Sequence, residues 1–350
     1  MINVYDFFDE INKRKVNIRL DAGQPDIPPN QEIIKALISS LGYMGYGSSR
    51  GLDELRSRIA EIYEVSTEEV AVTPGSKFAI TAILQNSKKV SLIAPYWPAY
   101  AQIARSFGKM IDVIETRIED GWLPNYWNPS GDTIIINYPN NPTGIIPNKD
   151  FTKRLVEEAN RKSAMIVSDE VYRDISFDNR KFTILDYESS KFAMVYSFSK
   201  TFSAPGLRLG YVVSDKETIK GIVNFVQTTI TSVPLYVQKA GLRALDLIDH
   251  ESNRVANIYG RRISLFSDLL DKSLFEFSKP DGGMYLFLNL GNINGTKFSY
   301  ELLQNDIGVF PGEAFGASYL NYIRISLTSS EELLQKAAKK MNEVASQWKQ

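Results

Sequence analysis

One lysine, Lys200, stands between two apolar runs in the stretch 195–211, VYSFSKTFSAPGLRLGY. Residues 192–196 and 209–213 read as short buried strands, and the Ser, Pro and Gly residues between them mark the turn that joins them. A lysine leaving a strand end there points into a site. The cost of burying its charge suits it to act as an amine nucleophile or Schiff-base former. Most lysines are exposed loop residues, so the motif needs companions.

Several companions are present. The apolar run 164–168 ends in Asp169-Glu-Val-Tyr172. A carboxylate directly after a buried strand is costly unless it meets a positive partner, either an arginine or the protonated ring nitrogen of a ligand. The loop 138–144, YPNNPTG, holds Asn141 on a stiff, extended frame between prolines. The strand 70–73 turns through Pro74-Gly75-Ser76-Lys77 into a helix expected over 78–86, which makes an anion site of free backbone N–H groups at a helix start. It fits one small phosphate, since neither G-x-x-x-x-G-K-[ST] nor G-x-G-x-x-G occurs. Tyr96 and Trp97 follow the strand 90–94 and could wall a flat ligand, although aromatics more often simply pack. Ser197-x-x-Lys200 also fits the S-x-x-K pattern of serine acyl transfer, but the S-D-N and K-T-G strings that chemistry requires are both missing.

Composition narrows the partners. Forty basic and 41 acidic residues give a net charge of -1, with no electrostatic footprint for nucleic acid or an anionic membrane. There is no cysteine and one histidine, His250, which excludes disulfides, thiolate sites and multi-histidine metal sites. His250 reads as a solvated helix residue. The N-terminus carries acids where a secretory signal would be apolar, and no run reaches membrane-spanning length, so a soluble cytoplasmic protein is expected.

The elements that must position these residues follow from periodicity. Residues 1–20 read as an amphipathic lead-in and 20–29 as a Gly- and Pro-rich segment crossing over something. Helices are expected over 31–41 and 51–65, flanking an exposed aromatic turn, GYMGYG at 42–47, whose glycines suggest close backbone approach. From residue 70 strands and helices alternate, the pattern of an open, mostly parallel sheet covered by helices. A long helix from about 252 to 270 carries the chain into a smaller α+β domain with strands at 283–290 and 321–326. Its last helix is expected to open with a capping box of Thr328 and Glu331 and to bury Leu334, Ala337, Ala338, Met341 and Val344.

The anion turn, the Asn-Pro-Thr-Gly loop, Asp-Glu-Val-Tyr and the lysine turn stand in an order that resembles the class I/II aminotransferases, aspartate aminotransferase-like pyridoxal phosphate (PLP) enzymes of fold type I. The similarity runs from about residue 20 to 326. It implies a three-layer α/β fold with a mostly parallel central sheet plus a smaller α+β domain, divided as 27–250 and 1–26 together with 251–350. The implied cofactor is pyridoxal 5′-phosphate, with Lys200 holding it as a Schiff base and Asp169 pairing with its ring nitrogen. Asn141 and Tyr172 would meet the ring's phenolic oxygen. Trp97 would stack on the ring, or Tyr96 if the register differs. The phosphate would sit on Gly75, Ser76 and Lys77, reached by Ser197 and Arg208.

The resemblance also implies a homodimer in which Tyr46 reaches the partner subunit's phosphate. Arg324 would fork the substrate's α-carboxylate, with Asn141 beside it and Gly23 lying over the substrate, and closure of the small domain would shut the site. Lys200 would move the Cα proton, and an amino acid and a 2-oxo acid would react in turn, ping-pong. Lys77 matches a position where some members meet a distal carboxylate, so aspartate or another acidic amino acid is the favoured donor, with 2-oxoglutarate as acceptor. Alternatives are an aromatic or histidinol-phosphate aminotransferase, a PLP-dependent carbon–sulfur lyase or decarboxylase, and a non-catalytic ligand sensor. The sensor reading calls for an output module such as a basic helix-turn-helix, for which residues 1–20 are too short.

Overall fold

The structure is a computed structural model and describes residues 4–178 and 180–348. The chain begins with α1 (Val4–Arg14), β1 (Ile18–Arg19), α2 (Gln31–Ser39) and α3 (Asp53–Tyr63). Alternation then sets in: β2 (Val70–Thr73), α4 (Ser76–Leu84), β3 (Lys89–Ile93), α5 (Pro98–Ser106), β4 (Met110–Ile114), β5 (Thr133–Asn137), α6 (Lys149–Arg161), β6 (Met165–Asp169), β7 (Phe192–Ser197) and β8 (Gly210–Ser214). Helices α7 (Lys216–Thr229), α8 (Leu235–Asp246) and α9 (Ile248–Leu269) follow. The chain closes with β9 (Tyr285–Asn289), α10 (Gly295–Gln304), β10 (Ile307–Gly308), β11 (Phe310–Pro311), β12 (Tyr322–Ser326) and α11 (Glu331–Trp348).

Seven strands form the central sheet in the order β2-β8-β7-β6-β5-β3-β4. All pairings are parallel except those of β8, which runs antiparallel to both neighbours. Strands such as β5 (TIIIN) and β8 (GYVVS) are buried throughout, as the interior of a sheet covered on both faces demands of β-branched residues. Parallel strands align their carboxyl ends, and here Asn137, Asp169 and Ser197 are the last residues of β5, β6 and β7. Asn137 pairs in register with Asp169. The sheet thus delivers polar side chains to one edge, where α/β folds bind ligands.

A second sheet of three antiparallel strands, β11-β12-β9, stands beside that edge, and β1 pairs in parallel with β10. Its own apolar cluster joins Leu286, Leu288, Ile323 and Ile325 to Leu334, Ala337, Ala338, Met341 and Val344 of α11. The expected face of the last helix is therefore buried. Its expected capping box is not formed: α11 starts at Glu331, Leu333 N–H approaches the Ser330 hydroxyl at 3.4 Å, and the Thr328 hydroxyl donates to the Ala22 carbonyl at 3.0 Å. Thr328 ties down the crossing segment, which passes close to the end of β12, and the later start of α11 puts Ser330 at the capping position instead.

Two more expectations shift. Helix α4 begins two residues before the expected 78, so Ser76 and Lys77 lie in its first turn. Around the aromatic turn, close approach exists only at Gly47, where a Cβ would come within 2.6 Å of Leu235; Gly42 and Gly45 face open space. His250 lies on α9 as expected, its ring mostly exposed and 2.9 Å from Glu251. Among the described residues no helix is long and apolar enough to cross a membrane.

Candidate active site

A cavity of about 520 Å³ opens at the carboxyl ends of β5, β6 and β7, between the starts of α4 and α5 and the small sheet. Lys200, Asp169, Asn141, Tyr172, Trp97, Ser76, Lys77, Ser197, Arg208, Arg324 and Gly23 all line it. Of the residues singled out from sequence, Gly75 stands just before the start of α4 beside Arg208 without lining the cavity, and Tyr46 stands apart, 87% exposed on the aromatic turn. Trp97 rather than Tyr96 borders the cavity; Tyr96 is buried in the main core.

The lysine turn is held from both sides. Phe198 N–H donates to the Leu209 carbonyl at 3.1 Å, and Phe198 stacks on Phe202 with centroids 5.2 Å apart. Below it the Tyr196 hydroxyl donates to Asp174 at 2.6 Å and approaches Thr201 at 3.2 Å. Lys200 Nζ donates to the Gly23 carbonyl and lies 5.5 Å from the centre of the Tyr172 ring.

Asp169 is 2% exposed. Its Oδ2 accepts from the Tyr100 hydroxyl at 2.5 Å, whereas its Oδ1 is buried without a hydrogen-bond partner among the described residues. Burial pushes the carboxyl up to about 6, against the opposing pull of Tyr100, the Val171 N–H and the Lys200 charge. Its backbone carbonyl accepts from Asn137 Nδ2 at 2.8 Å, and Asn137 Oδ1 accepts from Asn141 N–H at 2.9 Å, which fixes the asparagine loop against the aspartate. An orphaned buried carboxylate oxygen costs on the order of 1–3 kcal/mol or more, a cost that a cationic N–H donor in the cavity removes. A protonated ring nitrogen has that chemistry.

The anion turn has the local form its sequence predicts. Gly75 adopts φ +91°, and α4 starts from it with no side-chain cap, leaving the first N–H groups free. A Cβ on Gly75 would come within 2.9 Å of Arg208 Nη2. Arg208, itself left-handed at φ +50°, is anchored by Nη1 to the Pro205 carbonyl at 2.8 Å. Ser197 Oγ sits 2.9 Å from Ser199 Oγ beside it. Free N–H groups, hydroxyls and a guanidinium converge as a small phosphate requires.

The opposite wall comes from the small sheet. Arg324 is 6% exposed, and its partners are a side-chain amide and a backbone carbonyl rather than an anion: Nη1 donates to Asn141 Oδ1 at 3.1 Å and Nη2 to the Asp21 carbonyl. Its Nε is buried and has no hydrogen-bond partner among the described residues. The rings of Tyr285, Phe315 and Phe310 surround it at 4.5, 5.1 and 5.2 Å. Lys77 Nζ lies 5.1 Å from the Trp97 ring centre, and burial together with the neighbouring Arg208 lowers its pKa.

Sequence reasoning missed Tyr100, Tyr285 and Phe8. Tyr100 was visible only as the end of an aromatic loop, Tyr285 as one residue of a strand, and Phe8 as part of an amphipathic lead-in; all three line the cavity. The Tyr285 hydroxyl lies 2.8 Å from that of Tyr172.

A sequence profile described as "Aminotransferase class I and II" matches residues 15–341. The chain is 42% identical to an aspartate aminotransferase of Thermococcus kodakarensis, over 94% of this chain and 89% of that one. It is 29% identical to the (5-formylfuran-3-yl)methyl phosphate transaminase of Methanocaldococcus jannaschii, over 93% and 90% of the two chains. The solved structure of aspartate aminotransferase from Thermus thermophilus with maleate superposes with a TM-score of 0.91 at 26% identity, covering 98% of this chain and 97% of that one.

Proposed function

The chain belongs to the class I and II aminotransferases, a family that uses pyridoxal 5′-phosphate, and from that premise we propose that this transaminase moves an amino group from L-aspartate or another acidic amino acid to 2-oxoglutarate or a similar 2-oxo acid. The observation that carries the reading is Arg324, a buried guanidinium with no anionic hydrogen-bond partner among the described residues, facing the same cavity as the Lys200 amine. A guanidinium desolvated in this way favours a carboxylate ligand.

The residues fit the cofactor. Asp169 Oδ1 would accept a hydrogen bond from the ring nitrogen's N–H and so keep that nitrogen protonated and positive; the turn of Gly75, Ser76 and Lys77, with Ser197 and Arg208, would hold the phosphate. Asn141 and Tyr172 would face the ring oxygen and Trp97 one face of the ring. Bound there, the cofactor supplies an electron sink that makes the substrate's Cα proton acidic. Lys200 would hold the cofactor covalently and, as a free amine, take that proton from Cα. Arg324 would fix the α-carboxylate, Gly23 would lie over the substrate, and Lys77, at the cavity's edge, would meet a distal carboxylate. Residues 27–250 would carry the cofactor, and residues 1–26 with 251–350 would form the smaller unit that closes on it.

The same reading makes the enzyme a homodimer. Tyr46 projects from an exposed turn together with Tyr43, Met44 and Leu41, a surface suited to a second copy whose phosphate Tyr46 would reach. An aromatic substrate is the second reading, favoured by Phe8, Phe310 and Phe315 in the cavity wall.

The test is the visible spectrum of the purified protein with added pyridoxal 5′-phosphate. A band near the yellow region that Lys200→Ala lacks, that L-aspartate or L-glutamate bleaches and that 2-oxoglutarate restores, is the expected result. A band answering only to aromatic amino acids selects the second reading, and no band at all overturns the cofactor assignment.

A further inference from the structure

The cavity holds a pair of hydroxyls of which only one has a role above. Tyr285 opens β9, and its hydroxyl sits 2.8 Å from the Tyr172 hydroxyl, with the two rings edge to face at 5.6 Å and 81°. Both residues are buried. The Arg324 guanidinium lies over the same Tyr285 ring at 4.5 Å. The Tyr285 hydroxyl also fills the space beside Gly23, where a Cβ would stand 1.9 Å from it. One side chain from the small sheet therefore touches the residues expected on the cofactor side, on the carboxylate side and over the substrate.

We propose that Tyr285 is a positioning residue that aims the Tyr172 hydroxyl at the cofactor's ring oxygen and fixes the plane of Arg324 for an incoming carboxylate. This rests on the cofactor reading given above. A phenol has one proton to donate and lone pairs to accept with. When Tyr172 gives its proton to the ring oxygen, it can only accept from Tyr285, so the pair has one consistent direction, Tyr285 donating and Tyr172 accepting and passing on. Accepting a hydrogen bond makes a hydroxyl a stronger donor. Burial keeps Tyr172 protonated by raising its ionisation well above the ordinary phenol range. The titratable groups facing the pair are Arg324 from β12, Asp169 at the end of β6, Tyr100 from α5, Tyr259 from α9 and Lys200 beside the Tyr172 ring. The ring and the hydroxyl thus have separable tasks: the hydroxyl serves Tyr172, and the ring serves Arg324.

The test uses the full chain loaded with pyridoxal 5′-phosphate and reads the pH midpoint at which the visible band of the Lys200-bound cofactor changes. Tyr285→Phe keeps the ring and removes the hydroxyl. Its midpoint rises by ~0.5–1 pH unit, because a ring oxygen with a weaker donor holds the proton on the Lys200 nitrogen more tightly. In a Tyr172→Phe background the same change adds no further shift, since its route is gone. Affinity for succinate, a non-reacting dicarboxylate, stays within about twofold in Tyr285→Phe and falls by roughly 5–10-fold in Tyr285→Leu, where the ring under Arg324 is lost. A Tyr285→Phe midpoint equal to wild type, or a full second shift in the double variant, overturns the hydroxyl's role. Unchanged succinate affinity in Tyr285→Leu overturns the ring's. A wild-type protein with no visible band overturns the cofactor reading and this inference with it, an outcome distinct from a band whose midpoint does not move.

Discussion

Arg324 Nη1 donates to Asn141 Oδ1 at 3.1 Å, so a strand of the small sheet and the loop after β5 meet at one guanidinium. Asn141 is itself pinned to Asn137, and Asn137 to the backbone of Asp169. The group expected to grip the substrate is thereby held in register with the carboxylate expected to grip the cofactor, through three consecutive hydrogen bonds. Preset geometry of this kind spares the site the entropy of ordering a free side chain when substrate arrives.

Replacing that guanidinium tests the arrangement directly. Arg324→Lys keeps the charge but loses the planar fork, and both kcat/KM values, for the amino acid and for the 2-oxo acid, fall by about 10–100-fold. Steady-state kinetics with each substrate varied in turn measure it. A fall confined to one of the two would place Arg324 elsewhere than at the carboxylate they share.

Asp169 predicts a pH signature of the cofactor-free protein. Its folded-state pKa of about 6 lies above the ordinary 3.8 because burial disfavours the charged form. The folded chain then binds the proton more tightly than the unfolded chain, so this contribution to stability is full below pH ~4 and is lost as pH rises through ~6. In Asp169→Asn that loss disappears. Urea unfolding between pH 4 and 7 should show wild type losing about 2–3 kcal/mol more than the variant. Glu170, also lifted by burial, to about 7, changes in the same direction and is present in both proteins, so the difference isolates Asp169. Parallel pH profiles would contradict the assignment.

Lys77 separates the donors. Lys77→Met preserves the apolar stem against Trp97 and removes the ammonium. Activity with aspartate and glutamate falls about tenfold or more, whereas activity with phenylalanine is kept or improved. Equal losses on both kinds of substrate would assign Lys77 to the phosphate instead.

Tyr46 calls for a hybrid experiment. Tyr46→Phe and Lys200→Ala homodimers each have two defective sites if Tyr46 crosses between subunits. Mixed and reassorted, they form a heterodimer with one site that has both Lys200 and Tyr46 intact, and activity rises above that of either parent. No gain on mixing would mean that Tyr46 serves its own subunit or none.

Glycine 23 and Tyr285 are coupled by contact. Gly23→Ala places a methyl against the Tyr285 hydroxyl and should depress kcat/KM by about 10-fold, and adding Tyr285→Phe relieves the closest clash and restores part of it. If the second change restores nothing, the crossing segment acts on substrate without Tyr285.

The fold class and most of the cavity wall were legible in the chain because they depend on local chemistry. Alternating apolar runs specify strands and helices, Gly75 specifies a left-handed turn into α4, and a carboxylate such as Asp169 after a buried strand announces its need for a partner. Parallel strands then bring Asn137, Asp169 and Ser197 to one edge, since they end together. What local patterns do not encode is contact between segments far apart in sequence. Tyr100 against Asp169, Tyr285 against Tyr172 and Thr328 against Ala22 span 69, 113 and 306 positions, and each is decided by how helices and sheets pack. The expected cap at Thr328 failed for that reason: α11 begins only at Glu331, so Ser330 takes the capping position, and Thr328 is drawn to the Ala22 carbonyl of the crossing segment. The sequence by itself determined which groups would need partners, and the tertiary structure decided which partners they received.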